Sequence, residues 1–310
     1  MPLPALLQNR LALPVIAAPM FLVSSPELVM AQCRAGIVGA IPALNARSSE
    51  IFSGWLDQLG GLPADAAPYA VNLILHPSNT RIEADLAICE QHRAPIIITS
   101  MSARADVVER VHAWGGIVLH DVVNARHAKK AISQGVDGLI LVAGGAGGHA
   151  GSLNPIGFVR EIRSFFDGPL ALGGAISDGA GILAAQALGA DLAYMGTRFI
   201  ATTEAQADAD YKQMVLDATA SDILYTPRFS VAGASFLKAS VQRCGFDPES
   251  GLPVEADKEN KAVVWRDIWS AGQGVGVISD LPDVATLSLR LQAEYRLARE
   301  QLAVRIGYIL

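Results

Sequence analysis

The run PLALGGAISDGAGILAAQALGADLAYMGTRF, from Pro169 to Phe199, reads as a strand, a helix and a second strand. Residues 169–172 are an apolar run that breaks at Gly173-Gly174. Asp178 then offers a side-chain oxygen to the free N–H groups of a helix over 178–188, which carries Ile182, Leu183 and Leu188 at helical spacing. Gly189 stops that helix as a C′ glycine, and 192–196 is again a continuous apolar run. Neither strand alternates apolar with polar residues. A strand of that kind is covered on both faces, as in a parallel sheet dressed with helices.

The same unit recurs along the chain. Strands are expected at 15–20, 37–41, 69–75, 95–100, 116–121 and 138–142, ahead of 169–172 and 192–196. Ser25-Pro26, Asn124 and Asn154-Pro155 mark helix starts, and Gly36 and Gly135 follow helix ends. Eight buried strands alternating with helices imply an α/β chain folded as a closed (β/α)₈ TIM barrel. A doubly wound open sheet is the alternative, but the first strand ends in Ala18-Pro19-Met20, with no Gly-x-Gly-x-x-Gly fingerprint. After the eighth strand the pattern changes. Residues 204–275 read as a smaller helical insertion, a substrate or lid subdomain. Residues 1–203 plus 276–310 then make the barrel, with a closing amphipathic helix over 281–307. The polar stretch 247–260 reads as an exposed loop.

Composition sets the outer limits. The chain has 310 residues, 51% hydrophobic and 17% charged, with a net charge of −6. Its mean hydropathy is +0.32. That apolar content excludes a disordered chain. An acidic chain without a dense Lys/Arg run is poorly suited to nucleic acid or an anionic membrane. No window of 18 apolar residues suggests a transmembrane helix, and Pro2, Pro4 and Pro14 interrupt the only signal-peptide-like stretch. Cys33, Cys89 and Cys244 are odd in number and far apart, so a reducing cytoplasm is expected. No spacing of His, Cys or carboxylates suggests a metal, and no Gly-x-Ser-x-Gly elbow suggests a serine hydrolase.

In a barrel the chemistry sits at the C-terminal ends of the strands. Those ends hold Pro19-Met20, Asn72, Thr99-Ser100, His120-Asp121, Gly144–His149, Gly173-Gly174 and Met195-Gly196-Thr197. The glycine loops after strands seven and eight suit a phosphate group, because bare backbone N–H groups can approach it closely. Tight turns alone would also explain them. Gly144, Gly145, Gly147 and Gly148 precede His149, whose unperturbed pKa suits proton transfer near neutrality. A helix cap is the alternative role for His149. His120, at the mouth of the fifth strand, is either a ligand contact or a structural histidine. Tyr225, Phe229, Phe236, Trp265 and Trp269 form an aromatic set in and after the insertion, with Trp269 the better lid candidate.

The Gly-Gly-His loop within 143–151, Gly173-Gly174 with Ser177-Asp178-Gly179, and the run 187–199 ending Met195-Gly196-Thr197-Arg198-Phe199 together resemble the nitronate monooxygenase family, formerly the 2-nitropropane dioxygenases. The resemblance covers most of 15–203 and returns at 269–276. It implies an FMN-dependent oxidoreductase on a TIM barrel. The cofactor would be held by Ala18, Pro19, Met20, Asn72, Thr99, Gly147, Gly148, Gly173, Gly174, Met195, Gly196, Thr197 and Gln273. His149 would be the catalytic base, and His120, Tyr225, Trp269 and Ser270 would face the substrate or form a lid. The implied partners are a nitronate or nitroalkane and O₂. The same motifs also look like NAD(P)H-dependent flavin reductases of quinones or enoyl thioesters. A non-redox barrel enzyme using the cradle for a phosphorylated substrate is a third reading. Many relatives carry Gln-Gly-x-Glu where this chain has Val142, Ala143, Gly144 and Gly145, and some carry Lys where it has Asp121. The first change implies a less polar pocket there, and the second removes a cation near the flavin. The number of subunits is not legible.

Overall fold

The computed structural model describes residues 3–230, 232–254 and 262–307. It begins with β1 (Val15–Ala17), α1 (Pro26–Arg34), β2 (Ala40–Pro42), α2 (Ser49–Gly60), β3 (Ala70–Ile74) and α3 (Ile82–Gln91). The alternation continues through β4 (Ile96–Ser100), α4 (Ala105–Ala113), β5 (Ile117–Val122), α5 (Ala125–Ser133) and β6 (Gly138–Val142). A two-residue strand, β7 (Gly148–His149), then interrupts the rhythm. It is followed by α6 (Pro155–Arg163), β8 (Leu170–Gly173), α7 (Gly179–Leu188), β9 (Leu192–Met195) and the short α8 (Thr197–Ile200).

Eight strands form one parallel sheet in the order β1-β9-β8-β6-β5-β4-β3-β2. An isolated parallel bridge, Ile16 to Val38, joins its two edges. Ala17 N donates to Val38 O at 2.8 Å and Val38 N to Val15 O at 3.2 Å, so the barrel is closed. This is the (β/α)₈ architecture expected from the sequence. The strands are shorter than expected at the first position, and the second is shifted toward its C-terminal end.

The strands show why they read as continuous apolar runs. Ile16, Val38, Ala70, Ile98, Leu119, Ile140 and Leu192 fill the barrel interior. Val15, Ile41, Val71, Ile97, Val118, Leu141 and Leu172 face the helices on the other side. Successive residues point to opposite faces, and both faces are dry. On the inward parity, the last residues of the strands change character. Asn72, Ser100, Asp121 and Tyr194 follow Ala70, Ile98, Leu119 and Leu192 by two positions, and so put polar groups at the top of an otherwise apolar interior.

The helix signals act as the sequence suggests. Asn124 Oδ1 accepts from His127 N at 2.9 Å, Asn154 Oδ1 from Ile156 N at 2.9 Å, and Asp178 Oδ1 from Gly181 N at 2.7 Å. Each satisfies a donor that the first helical turn leaves free.

The insertion is mixed instead of helical. It holds α9 (Ala209–Asp217), β10 (Ile223–Thr226), β11 (Ala234–Leu237) and α10 (Lys238–Arg243). β10 and β11 are antiparallel, and β11 also pairs with β7, giving a small sheet of order β10-β11-β7. Leu224, Ala234, Phe236, Val241 and Ile268 form its own core, whereas Tyr211 and Val215 of α9 belong to the core around the barrel. Residues 247–254 of the expected polar loop start with a turn in which Asp247 Oδ1 accepts from Ser250 N at 2.7 Å. Residues 255–260 of that loop lie outside the described residues.

The closing helix α11 (Val284–Gly307) starts three residues later than expected. It packs against α7 so closely that a Cβ on Gly179 would lie 2.2 Å from Tyr295 N. Asp280 anchors its approach, with Oδ1 3.0 Å from Arg198 and Oδ2 2.6 Å from Arg290.

Candidate active site

A cavity of about 1070 Å³ opens at the C-terminal ends of the barrel strands. Its wall includes Ala18, Pro19, Met20, Asn72, His120, Gly147, Gly148, His149, Gly173, Gly174, Gly196, Thr197, Tyr225 and Ser270. One concave site therefore collects residues from the first strand through the insertion, as a ligand pocket of this fold should.

Four expected residues stand off that wall. Thr99 is buried behind it, and its hydroxyl meets His120 Nδ1 at 2.7 Å. Met195 is fully buried on the helix-facing side, and its carbonyl accepts from Ala18 N at 2.8 Å. Gln273 N donates to Gly145 O at 2.8 Å, so it shapes the glycine loop from outside. Trp269 is packed away: its ring stacks on Tyr211 at 4.9 Å, and Arg243 lies over it at 3.7 Å. The indole on the cavity wall is Trp265, its backbone at φ +72°. That reverses the choice of lid tryptophan. The Ser-Ala-Gly-Gln run after Trp269 suggested a pocket neighbour, but Trp269 itself faces the other way.

His149 owes its position to the small sheet. It sits on β7, opposite Ala234 of β11, with Gly148 opposite Ser235. Gly148 takes φ +68°, which a Cβ would disfavour, and its N–H donates to Ser270 Oγ at 2.6 Å. Ser270 passes the hydrogen bond on to Ser235 O at 2.7 Å. A Cβ on Gly147 would come within 2.9 Å of Gly272 N. The loop is therefore pressed flat against the 270–272 backbone and ends with an imidazole at the cavity wall. The ring of Trp265 meets that imidazole edge-on, with centroids 5.0 Å apart. His149 keeps part of its surface exposed, and the partial desolvation of its ring lowers its pKa below the ordinary histidine value, so it is neutral near pH 7 and able to accept a proton.

The loops after β8 and β9 form the opposite wall. Gly174 has φ +146°, and a Cβ there would lie 2.9 Å from Gly144 O. Thr197 Oγ1 accepts from Gly272 N at 2.9 Å, which ties this wall to the insertion. Ser177 Oγ is buried on the cavity lining with no hydrogen-bond partner among the described residues. A buried unpaired hydroxyl costs free energy unless a ligand satisfies it.

The floor was the least legible part. Asn72 Nδ2 donates to Ile98 O at 3.1 Å and to Ser100 Oγ at 2.8 Å, and Ser100 donates to Asp121 Oδ2 at 2.6 Å. All three residues line the cavity. Burial pushes the Asp121 carboxyl up to about 7, and burial also takes His120 down to about 4. A polar residue two positions after the last interior apolar one, on three neighbouring strands, was the available signal for this trio. Among the described residues no group of three or more His, Cys, Asp or Glu side chains could hold a metal ion. Among them, too, no helix is long and apolar enough to cross a membrane.

The family model for nitronate monooxygenase matches residues 48–244. The chain belongs to the nitronate monooxygenase family. It is an oxidoreductase. A nitronate monooxygenase of Paraburkholderia phytofirmans is 27% identical, over 93% of this chain and 94% of that protein. A carboxyl-CoA dehydrogenase acting on a hydroxy-methyl-oxo-octahydroindene, from Rhodococcus jostii, is 30% identical over 62% of this chain and 53% of its own length. Among solved structures, a nitroalkane oxidase from Streptomyces ansochromogenes superposes with a TM-score of 0.80 at 22% identity, covering 96% of this chain and all of that one. FabK from Thermotoga maritima gives 0.81 at 24% identity, covering 97% of both chains. At these identities the two structures speak to the fold.

Proposed function

We propose that the chain binds FMN in this cavity and oxidises alkyl nitronates, and the nitroalkanes that give rise to them, with O₂. The carrying observation is the cavity itself: glycine loops after β6, β8 and β9 converge on one space, and His149 is presented over it. The residues fit a flat phosphorylated group. Gly173, Gly174, Gly196 and Thr197 would hold the phosphate, and the unpaired Ser177 hydroxyl offers it a further donor. A side chain on Gly174 would press on Gly144 O and disturb the packing of the two glycine loops. Pro19, Met20, Gly147 and Gly148 supply flat apolar walls for a ring system, above the polar floor of Asn72, Ser100 and Asp121.

When bound, FMN would accept electrons from the nitronate and pass them to O₂. The protein's part is proton handling, orientation and dryness. His149, neutral at physiological pH, takes the α-proton from a nitroalkane and becomes an imidazolium that holds the resulting anion. Trp265 shields one edge of that ring from water. Tyr225 closes the loop by donating to Ala150 O at 3.1 Å.

A second reading takes only its substrate class, a CoA thioester, from the similarity to a CoA-thioester dehydrogenase, which runs electrons the other way. In that reading a reduced nicotinamide nucleotide, NADH or NADPH, is the electron donor, and a thioester or quinone takes the electrons. Purification under gentle conditions, followed by oxygen uptake with propyl-2-nitronate, tests the first reading. A yellow protein that consumes O₂ on addition of the nitronate supports it. A colourless protein that FMN does not reconstitute overturns it.

A further inference from the structure

The floor carries a hydrogen-bond chain with a fixed direction. Asn72 must present Nδ2 to Ile98 O, a carbonyl that can only accept, and the same nitrogen reaches Ser100 Oγ. Ser100 therefore accepts from Asn72 and has one proton left to give. With Asp121 ionised, that proton goes to Oδ2. The other carboxyl oxygen, Oδ1, is sealed from solvent and has no partner among the described residues. A proton taken up by Asp121 has no acceptor at Oδ1, whereas at Oδ2 it has Ser100 Oγ at 2.6 Å. Ser100 would then accept from both neighbours and turn its own hydroxyl hydrogen toward the cavity that it lines. Asp121 thus decides whether the floor donates a hydrogen bond to a bound molecule.

We propose that Asn72, Ser100 and Asp121 form a proton-controlled donor, in which protonation of Asp121 frees the Ser100 hydroxyl for an acceptor atom of the ligand over the floor. On the reading above, which this inference rests on, that acceptor belongs to the flavin ring. The carboxyl titrates at about 7, within reach of physiological change. The other titratable groups around it are His120 beside it on β5, Tyr194 on β9, His127 and Lys130 on α5, His76 after β3, and His149 on β7. His120 and His149 are already neutral near pH 7, and burial with the nearby Asp121 charge keeps Tyr194 protonated. Histidines that Asp121 does not control would act alike in the wild type and in an Asp121 variant, as would the second ionisation of the FMN phosphate.

The test is the dissociation constant of FMN from pH 6.5 to 8.5, read by quenching of FMN fluorescence on the flavin-free protein. In the wild type it should rise at least about fivefold, approaching tenfold per pH unit if only the protonated floor binds. Asp121→Asn carries a permanent N–H donor toward Ser100, so its affinity should stay nearly flat and match the wild type at low pH. Ser100→Ala should bind weakly at every pH. Parallel profiles for wild type and Asp121→Asn would overturn the proposal, as would affinity that increases with pH. Infrared spectra of flavin-free protein supply a second readout that needs no cofactor. A protonated carboxyl band present at pH 6, gone at pH 8.5 and absent from Asp121→Asn supports the titration, and its absence at pH 6 refutes it. Lack of any FMN binding beside a titrating carboxyl would instead count against the flavin reading alone.

Discussion

As the proposed base, His149 takes its character from its surroundings. Desolvation lowers its pKa, so the neutral form persists below the ordinary histidine value. With a neutral nitroalkane, kcat/KM should therefore climb with pH through a value below 6.5 and then level off, as a pH–rate profile would show. Replacing Trp265 with Ala wets the ring and should move that limb upward. Replacing His149 with Ala should slow oxidation of the neutral nitroalkane by roughly 10²-fold or more, as loss of a general base does. FMN should stay bound, and a preformed nitronate, which needs no deprotonation, should be largely spared. Equal losses for both substrates would assign His149 to binding.

At the scale of elements, the site depends on a sheet that spans distant parts of the chain. β7 is tied into the site through β11 and Ser270. Ser270→Ala leaves the Gly148 N–H without its acceptor, at a cost of about 1–3 kcal/mol where the group stays buried. Steady-state kinetics should show kcat reduced, with FMN content unchanged. This sheet was illegible in the sequence for a physical reason. β7 is two residues inside a glycine loop, and its partner lies some 85 positions onward, so no local period marks the pairing. The eight barrel strands were legible because each is dry on both faces. The glycine loops and His149 stood out for another reason: turn chemistry is local. Asn72, Ser100, Asp121 and Trp265 were each visible in the sequence, but the bonds that join the first three and the contact of Trp265 with His149 were not, because the sequence does not say which residues of neighbouring elements meet. The contact between α7 and α11 offers a cleaner structural test. A methyl group at Gly179 would collide with the backbone at Tyr295. Gly179→Ala should lower Tm by displacing α11, without changing the chemistry per folded molecule.

For the whole molecule, buried ionisable groups at the barrel mouth make stability depend on pH in opposing ways. Asp121 has its carboxyl pushed up to about 7 from an unfolded value of 3.8. The folded state then holds the extra proton, so its contribution is complete below 3.8 and is lost as pH rises to about 7. His120 is held down to about 4 from 6.5, so its contribution is present above 6.5 and is lost as pH falls toward 4. The two slopes oppose each other across the shared interval. Asp121→Asn should therefore gain stability relative to wild type as pH rises from about 4 to 7, by up to a few kcal/mol at about 1.4 kcal/mol per pKa unit. Urea denaturation at several pH values would show it, and a difference independent of pH would contradict it.

The positive mean hydropathy of this acidic chain also finds its place at this scale, in a barrel dry on both sides of its wall beneath a largely apolar cavity. The proposed function has this cavity hold FMN for nitronate oxidation. Anaerobic stopped-flow mixing of the FMN-loaded protein with propyl-2-nitronate, NADH and NADPH in turn tests it most directly. Rapid bleaching of the flavin by the nitronate, with slow or no bleaching by either nucleotide, is the predicted result. Bleaching by a nucleotide alone, with the nitronate inert, would contradict it.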